Sequence, residues 1–442
     1  MDIQVALAVD ILILVLSLWC ILQVTQRSIF NPCLWWVALH AYTVTLRLIT
    51  LNLGAESLSL IGVRSNVELV RAAIASDISL MAVVVATIVV EHRALRDRAI
   101  DFPDGGRDEL NPRFGNVISI LCLTIGTFFL LRFASTTIAA RARGIDLTTI
   151  DIGNIAQTTY PNTIAGFAVQ AGLIQVALRG FTRWTIALLI LLMALTSLYL
   201  PRASFVLAAI MAFLIYQTQH KMTNLPAKWA FGALLLGLVW FVYKPVAAAI
   251  NDDLNAEQVI ASAQDYFRDA VSGNSSGDVQ FFDMEATYMA ASDETGQRFY
   301  GSTILPLLYL PIPRYLWPDK PRVNEYAFQL SSPLRPMTQV GMTPLLSGES
   351  YLNFGWTGCA VIPFLYILGM QTAFHWVRDH GSASIGRLIY TIFLLSMIPV
   401  FRDGLASLVI FPIVWYLPIV GWGVISKLMP SGKAYAAHFN QR

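Results

Sequence analysis

Long apolar stretches alternate with short polar connections along almost the whole chain. A window of about 19 residues predicts helices near 3–23, 32–53, 67–90, 115–138, 161–178, 184–200, 203–219, 229–249, 352–376, 386–402 and 404–426. Each run is long enough to cross a hydrocarbon layer about 30 Å thick. The expected fold class is an all-α polytopic membrane protein of about 11 transmembrane helices with one large extracytoplasmic loop. The first run starts at Ile3 behind Asp2 and contains Asp10, without the basic flank of a cleaved signal peptide, so it is read as a retained helix. No soluble domain is expected before or after the helices, and no internal repeat stands out.

One connection breaks the rhythm. Residues 1–249 carry the first eight predicted helices, 250–351 form the large loop, 352–426 carry the last three, and 427–442 form a tail. From Asn251 to Glu294 the loop is acidic, with Asp252, Asp253, Glu257, Asp265, Asp269, Asp278, Asp283 and Glu285, and YFRDAVSG predicts a short helix ending at Gly273. From Ser302 to Pro344 it becomes apolar, aromatic and basic. Eight of the chain's 20 prolines lie in the segment 306–344. Such a segment can form neither a membrane helix nor a regular sheet. TILPLLYLPIP is expected to dip into the interface without spanning, and this second half is where a site is expected.

Composition supports the membrane reading. Only 13% of residues are charged and 56% are hydrophobic, against roughly 25% charged in a soluble domain. The segment 91–114 holds five arginines and is expected in the cytoplasm by the positive-inside rule. Counting helices from it puts the N-terminus and 250–351 outside and the C-terminal tail inside. Arg132, Arg141, Arg143, Arg202, Arg314, Lys320, Arg322, Arg335 and Arg402 then gather at or near the outer face. Cations there run against the insertion rule and call for an anionic ligand.

The candidates divide by type. Arg202 in YLPRASF follows a proline suited to a first helical turn, so its guanidinium adds to free N–H groups and the helix dipole as a phosphate site; its structural alternative is a headgroup anchor. Arg402 in FRDG is either a ligand contact or half of a local pair with Asp403. Arg314 sits on a stiff proline-rich backbone. Arg47, Arg71, Asp77, Arg132 and Lys244, in or near the outer halves of predicted helices, can equally be buried pairs that hold the bundle. Tyr315, Trp317, Tyr326 and Tyr351 offer flat faces for sugar rings or an interfacial anchoring belt. Glu349 in SGESYLNFG is the preferred general base, with a helix-start cap as its structural alternative; Asp319 is the second choice. Lys320, Arg322, Tyr351 and Asn353 complete the expected binding set.

Other chemistry lacks support. Cys20, Cys33, Cys122 and Cys359 all lie in apolar runs, so neither a disulfide framework nor a cysteine metal site is expected. There is no P-loop, no GxGxxG entering a helix and no HExxH, and the acidic half-loop lacks EF-hand spacing. No cofactor, metal or nucleic-acid partner is expected. Of the six histidines only His40 could serve an outer-face site.

PRYLWPDKP, GESYLNFGWTG, LPRAS and FRDG together resemble the bacterial O-antigen polymerase (Wzy-type) and oligosaccharide repeat-unit polymerase families. The resemblance implies a GT-C-like membrane glycosyltransferase of lipopolysaccharide or related polysaccharide biosynthesis. It would work at the outer face of the bacterial cytoplasmic (inner) membrane. Donor and acceptor would be oligosaccharides on undecaprenyl pyrophosphate, and membrane lipids and a chain-length regulator would be further partners. By matching motif, Arg314, Arg202 and Arg402 would contact the donor pyrophosphate and Glu349 would face the acceptor sugar. The related O-antigen ligases are associated with a histidine in the large outer loop, and 250–351 has none. A transporter of lipid-linked sugars is the alternative from another class. Internal repeats and midplane sites would mark it, whereas the unusual residues here gather at one face.

Overall fold

The computed structural model describes residues 2–25, 28–54, 65–97, 110–142, 159–197, 202–219, 281–310, 316–321, 343–378 and 385–429, with a few further residues between 257 and 330. Every regular element among them is helical. In order these are α1 (Ile3–Val24), α2 (Pro32–His40), which runs through a π-helical turn Ala41–Thr45 into α3 (Leu46–Asn52), α4 (Asn66–Asp97), α5 (Pro112–Ala142), α6 (Thr159–Arg179), α7 (Arg183–Ser197) and α8 (Arg202–Gln219). Then come α9 (Phe281–Thr295), α10 (Pro306–Tyr309), α11 (Leu346–Arg378), α12 (Ile385–Asp403), α13 (Ser407–Val409), a second π-helical segment Ile410–Trp415, and α14 (Leu417–Leu428).

Five of these stretches are long and apolar enough to cross a membrane: Ile3–Val24, Pro32–Asn52, Asn66–His92, Pro112–Arg132 and Leu346–Val377. A sixth follows if Ser407–Ile413 and Leu417–Leu428, bent by 67°, count as one broken span. The apolar cores of α6, α7 and α8 are shorter. Helices thus stand where the apolar runs predict them, except that 229–249 lies outside the described residues and the last run is broken rather than continuous.

Local signals explain several helix ends. Asp2 accepts from the Ile3 N–H at 2.7 Å, and Asn31 accepts from the Cys33 N–H at 2.9 Å with Pro32 at the first helical position. Asn111 does the same for α5, accepting from the Arg113 N–H at 3.1 Å ahead of Pro112. The helices are apolar outside and partly polar inside, as lipid demands. Along α1, Leu12, Val15, Leu16 and Trp19 are exposed while Ala6, Asp10, Ser17 and Ile21 form the buried seam.

The described chain divides into two compact units, one of residues 1–103, 261–376 and 396–410, the other of 104–260, 377–395 and 411–442. In the first, α4 packs against α1, α2 and α9. In the second, α6 is central and packs on α5, α7, α8 and α14. Its small residues allow close approach, and a side chain at Gly126 of α5 would collide with the Ala168 backbone.

Two features shape the candidate site. The end of the acidic half of the large loop is not in solvent: from Phe282 to Ser292 every residue of α9 is buried. And α11 starts at Leu346, earlier than expected, then breaks at Phe354 and Gly355, where Gly355 adopts φ 61°. The residues 346–353 therefore form a short helix of their own ahead of the long one. TILPLLYL, the described start of TILPLLYLPIP, folds as turns and the single helical turn α10, with Leu305 and Leu308 exposed; α10 is far too short to span.

Candidate functional site

The short helix LSGESYLN is gripped on two faces. Glu349 and Asn353, four residues apart, lie on one face. Glu349 Oε1 accepts from Thr303 Oγ1 at 2.8 Å, and Oε2 accepts from the Leu405 N–H at 2.7 Å. Asn353 Nδ2 donates to Thr303 Oγ1 at 2.7 Å and to the Glu349 carbonyl at 2.8 Å, while its Oδ1 accepts from the Gly301 N–H at 2.7 Å. The Phe299 and Tyr300 N–H groups satisfy the Leu352 and Asn353 carbonyls at 3.0 and 3.2 Å, which closes the helix before its break. Three segments distant in sequence thus converge on Glu349: the 299–303 loop, the short helix and the FRDG turn.

That turn leaves no room for a side chain. Gly404 adopts φ 86°, and a Cβ there would overlap Glu349 Oε2. Glycine is needed both for the backbone conformation and for the carboxylate's approach. Beside it Arg402 forms a two-pronged pair with Asp403, Nε to Oδ1 and Nη2 to Oδ2 both at 2.8 Å, and lies over the Phe281 ring at 5.0 Å. Thr343 Oγ1 donates to Asp403 Oδ1 at 3.2 Å. Arg402 keeps 31% of its side chain exposed, so its pairing with Asp403 shapes the turn without burying the guanidinium.

Tyr351 points to the other face. Its hydroxyl donates to Asp293 Oδ1 at 2.9 Å and accepts from Arg71 Nη2 at 2.9 Å. Arg71 and Arg298 both pair with Asp293, at 2.6 and 2.7 Å, and Arg298 lies over the Tyr351 ring at 4.8 Å. Trp356 packs edge-on against Tyr351 and lies under Arg71. Two guanidiniums share one carboxylate, with Arg71 38% and Arg298 24% exposed. The cluster is cationic, aromatic and open on one side. A partly dry pair of guanidiniums can bind phosphate in two-pronged fashion, and the exposed Trp356 ring can pack on a sugar face, whereas the Tyr351 ring is buried.

Below the short helix the chain is tied down by buried polar contacts. Arg47 and Asp283 are both fully buried and joined by two hydrogen bonds, Nε to Oδ1 at 2.9 Å and Nη2 to Oδ2 at 2.7 Å. Glu285 Oε2 accepts from Ser76 Oγ at 3.0 Å, and that hydroxyl also meets Ser347 Oγ at 3.0 Å. Burial pushes the Glu285 carboxyl up to about 8, although the two serine hydroxyls work the other way. Gly348 lies against Glu285 and Pro344, where a Cβ would be only 3.0 Å and 2.8 Å from them.

The structure brings Glu349, Asn353, Tyr351 and the Arg402 turn into one neighbourhood. Lys320 is buried and donates to the Leu310 and Ile312 carbonyls at 3.2 and 2.8 Å, so it braces the proline-rich loop; Asp319 is exposed. Trp317 packs edge-on against Tyr309. Arg202 starts α8 as expected; its side chain, and Arg314, Tyr315, Arg322, Tyr326 and Arg335, lie outside the described residues. The structural alternative, a buried pair, is what is found for Arg47 with Asp283; Arg71 pairs with Asp293 but stays partly exposed. Sequence reasoning passed over Arg298 and Asp293. Their only signal is an arginine five residues after an aspartate in a polar stretch, which is ordinary in any loop.

Fold and site define, among the described residues, a helical protein with five or six helices long and apolar enough to cross a membrane and a cationic, aromatic cluster built on the segment before α11's long arm. Family models, curated proteins and solved structures yield no match to this chain.

Proposed function

We propose that the chain is a GT-C-like membrane glycosyltransferase that polymerises lipid-linked oligosaccharide repeat units at the outer face of a bacterial cytoplasmic membrane. One observation carries the reading: Arg71 and Arg298 flank Tyr351 in a half-open cluster, and Tyr351 shares its short helix with Glu349, which lies on the opposite face. It adds two guanidiniums to the expected set of Arg202, Arg314 and Arg402.

In this mechanism the growing chain on its lipid pyrophosphate is the donor. A hydroxyl of the incoming unit attacks the donor's anomeric carbon, the bond from that carbon to the pyrophosphate oxygen breaks, and its electron pair leaves with the pyrophosphate. Guanidiniums stabilise the charge that develops there. The hydroxyl proton passes to Glu349, with the acceptor hydroxyl replacing the hydrogen bond from Thr303. Lys320 acts by holding the proline-rich loop in shape.

The test is polymer length in cells that carry Arg298→Ala, Arg314→Ala or Glu349→Gln, with membrane insertion verified for each. Each arginine loss should slow polymerisation about 10²- to 10³-fold, the usual effect of removing one preorganised donor, and Glu349→Gln about 10²- to 10⁴-fold, the usual contribution of a general base. Normal long-chain polymer from inserted Arg298→Ala and Arg314→Ala proteins would sink the proposal. A transport reading draws on the buried Asp10, His40 and Asp77 inside the helices, because ionisable groups at that depth often line a transport path. Purified protein that lengthens lipid-linked oligosaccharide in detergent separates the two, because a transporter forms no new bond.

A further inference from the structure

Three ionisable side chains meet inside the first unit, away from the cluster around Tyr351. Asp10 of α1, His40 at the end of α2 and Asp77 of α4 are 0%, 1% and 4% exposed. His40 Nε2 is 2.8 Å from Asp10 Oδ1 and 3.6 Å from Asp77 Oδ1. One ligand atom from each residue lies within 4.8 Å of the other two. Asp10 Oδ2 and Asp77 Oδ1 have no hydrogen-bond partner, and the Asp77 oxygen faces the imidazole.

With both carboxylates ionised the charge balance is incomplete, and a proton held between them is the alternative to a bound cation. Among the described residues no lysine or arginine pairs with either carboxylate. One imidazole, even as a cation, leaves two carboxylates with a net negative charge in a region that solvates charge poorly. A divalent cation held by two carboxylates and a neutral imidazole brings the sum to zero. It also gives the orphaned Asp77 Oδ1 a partner.

The geometry suits such an ion. Bonds of about 2.0–2.2 Å in a tetrahedral site set ligand atoms about 3.3 Å apart, and the observed 2.8 and 3.6 Å bracket that value. The π-helical turn Ala41–Thr45 starts directly after His40. Such turns re-aim side chains and cluster at functional sites. One imidazole with two carboxylates favours a transition-metal dication such as Zn²⁺ or Mn²⁺ over Mg²⁺ or Ca²⁺, which take oxygen alone.

We propose that Asp10, His40 and Asp77 form a divalent transition-metal site between α1, α2 and α4, with a fourth position open to water or another ligand. The site does not depend on the polymerase reading.

The probe is Zn²⁺ added to the full chain, purified in detergent without a polyhistidine tag and then dialysed, with metal content measured by mass spectrometry. About one Zn²⁺ per chain is expected. Asp77→Asn and His40→Ala should each weaken retention by more than the roughly 10- to 100-fold that loss of an outer-shell contact costs. His375→Ala, which removes the imidazole paired with Glu91 at 2.9 Å, should retain the ion. Substoichiometric Zn²⁺ in the unaltered chain, undiminished retention in Asp77→Asn, or an equal loss in His375→Ala would overturn the proposal. A readout independent of variant folding is Co²⁺ loading of the unaltered chain. Intense visible d–d absorption of a low-coordinate ion is expected, and a weak octahedral spectrum would refute it. A site that exchanges only protons fails both arms.

Discussion

Arg47 shows how far a single residue can be read. An arginine within a predicted membrane helix needs a partner, and the structure supplies Asp283 from 236 positions away, with both side chains fully buried. Desolvation offsets much of the attraction in such a pair, so the pair as a whole adds little, whereas removing one member strands a charge. Arg47→Ala is therefore expected to cost about 3–5 kcal/mol. Arg47→Met combined with Asp283→Leu should cost far less than the sum of the two single changes. Thermal unfolding of the four detergent-solubilised proteins checks this, and additive losses would refute it. Gly404 carries a similar lesson at smaller scale, because its need for glycine arises from a carboxylate 55 positions earlier that no local pattern announces.

At the scale of elements, α9 and the short helix before α11 behave as one docked pair. At the end of the acidic stretch 251–294, α9 uses its acids as anchors: the buried Asp283 for Arg47 and Glu285 for Ser76, and the partly exposed Asp293 for Arg71 and Arg298. Glu285 makes this pair sensitive to pH. Its carboxyl is raised by burial from 4.5 to about 8 in the folded chain, so the folded state holds a proton that the unfolded state releases. That contribution is fully present below about pH 4.5 and is lost as pH rises towards 8. The unfolding temperature should therefore fall across this window more in the unaltered chain than in Glu285→Gln, which keeps the side chain's shape without the ionisation. Equal slopes measured at pH 5 and pH 8 would refute the assignment. The break at Phe354 and Gly355 also belongs to this scale, because it separates a polar hub from an apolar span within one unbroken helical pattern.

At the scale of the whole molecule, the expected orientation puts 250–351 outside and 91–114 inside. A cysteine introduced at Ser276 should react with a membrane-impermeant thiol reagent added to intact cells, and one at Gly105 should not. Cys33, Cys122 and Cys359 are buried, so only Cys20 need be replaced by serine to clear the background; the reverse pattern of labelling would invert the topology. The helical class and the helix positions were legible because a membrane helix is a local object. Its length is set by the thickness of the hydrocarbon layer and its composition by contact with lipid, both written in consecutive residues. The sequence marks Glu349, Tyr351, Asn353, Lys320, Arg202, Arg314, Arg322 and Arg402; the structure joins Glu349 to the turn after Arg402 and to Asn353, and turns Tyr351 to the other face. Which partners they take was decided only by tertiary packing. Asp10 meets His40 across 30 positions, Glu349 meets Leu405 across 56 and Arg71 meets Tyr351 across 280. Those pairings depend on how each helix is rotated about its axis and where α9 docks, quantities that hydrophobic periodicity leaves free when lipid accepts any apolar face.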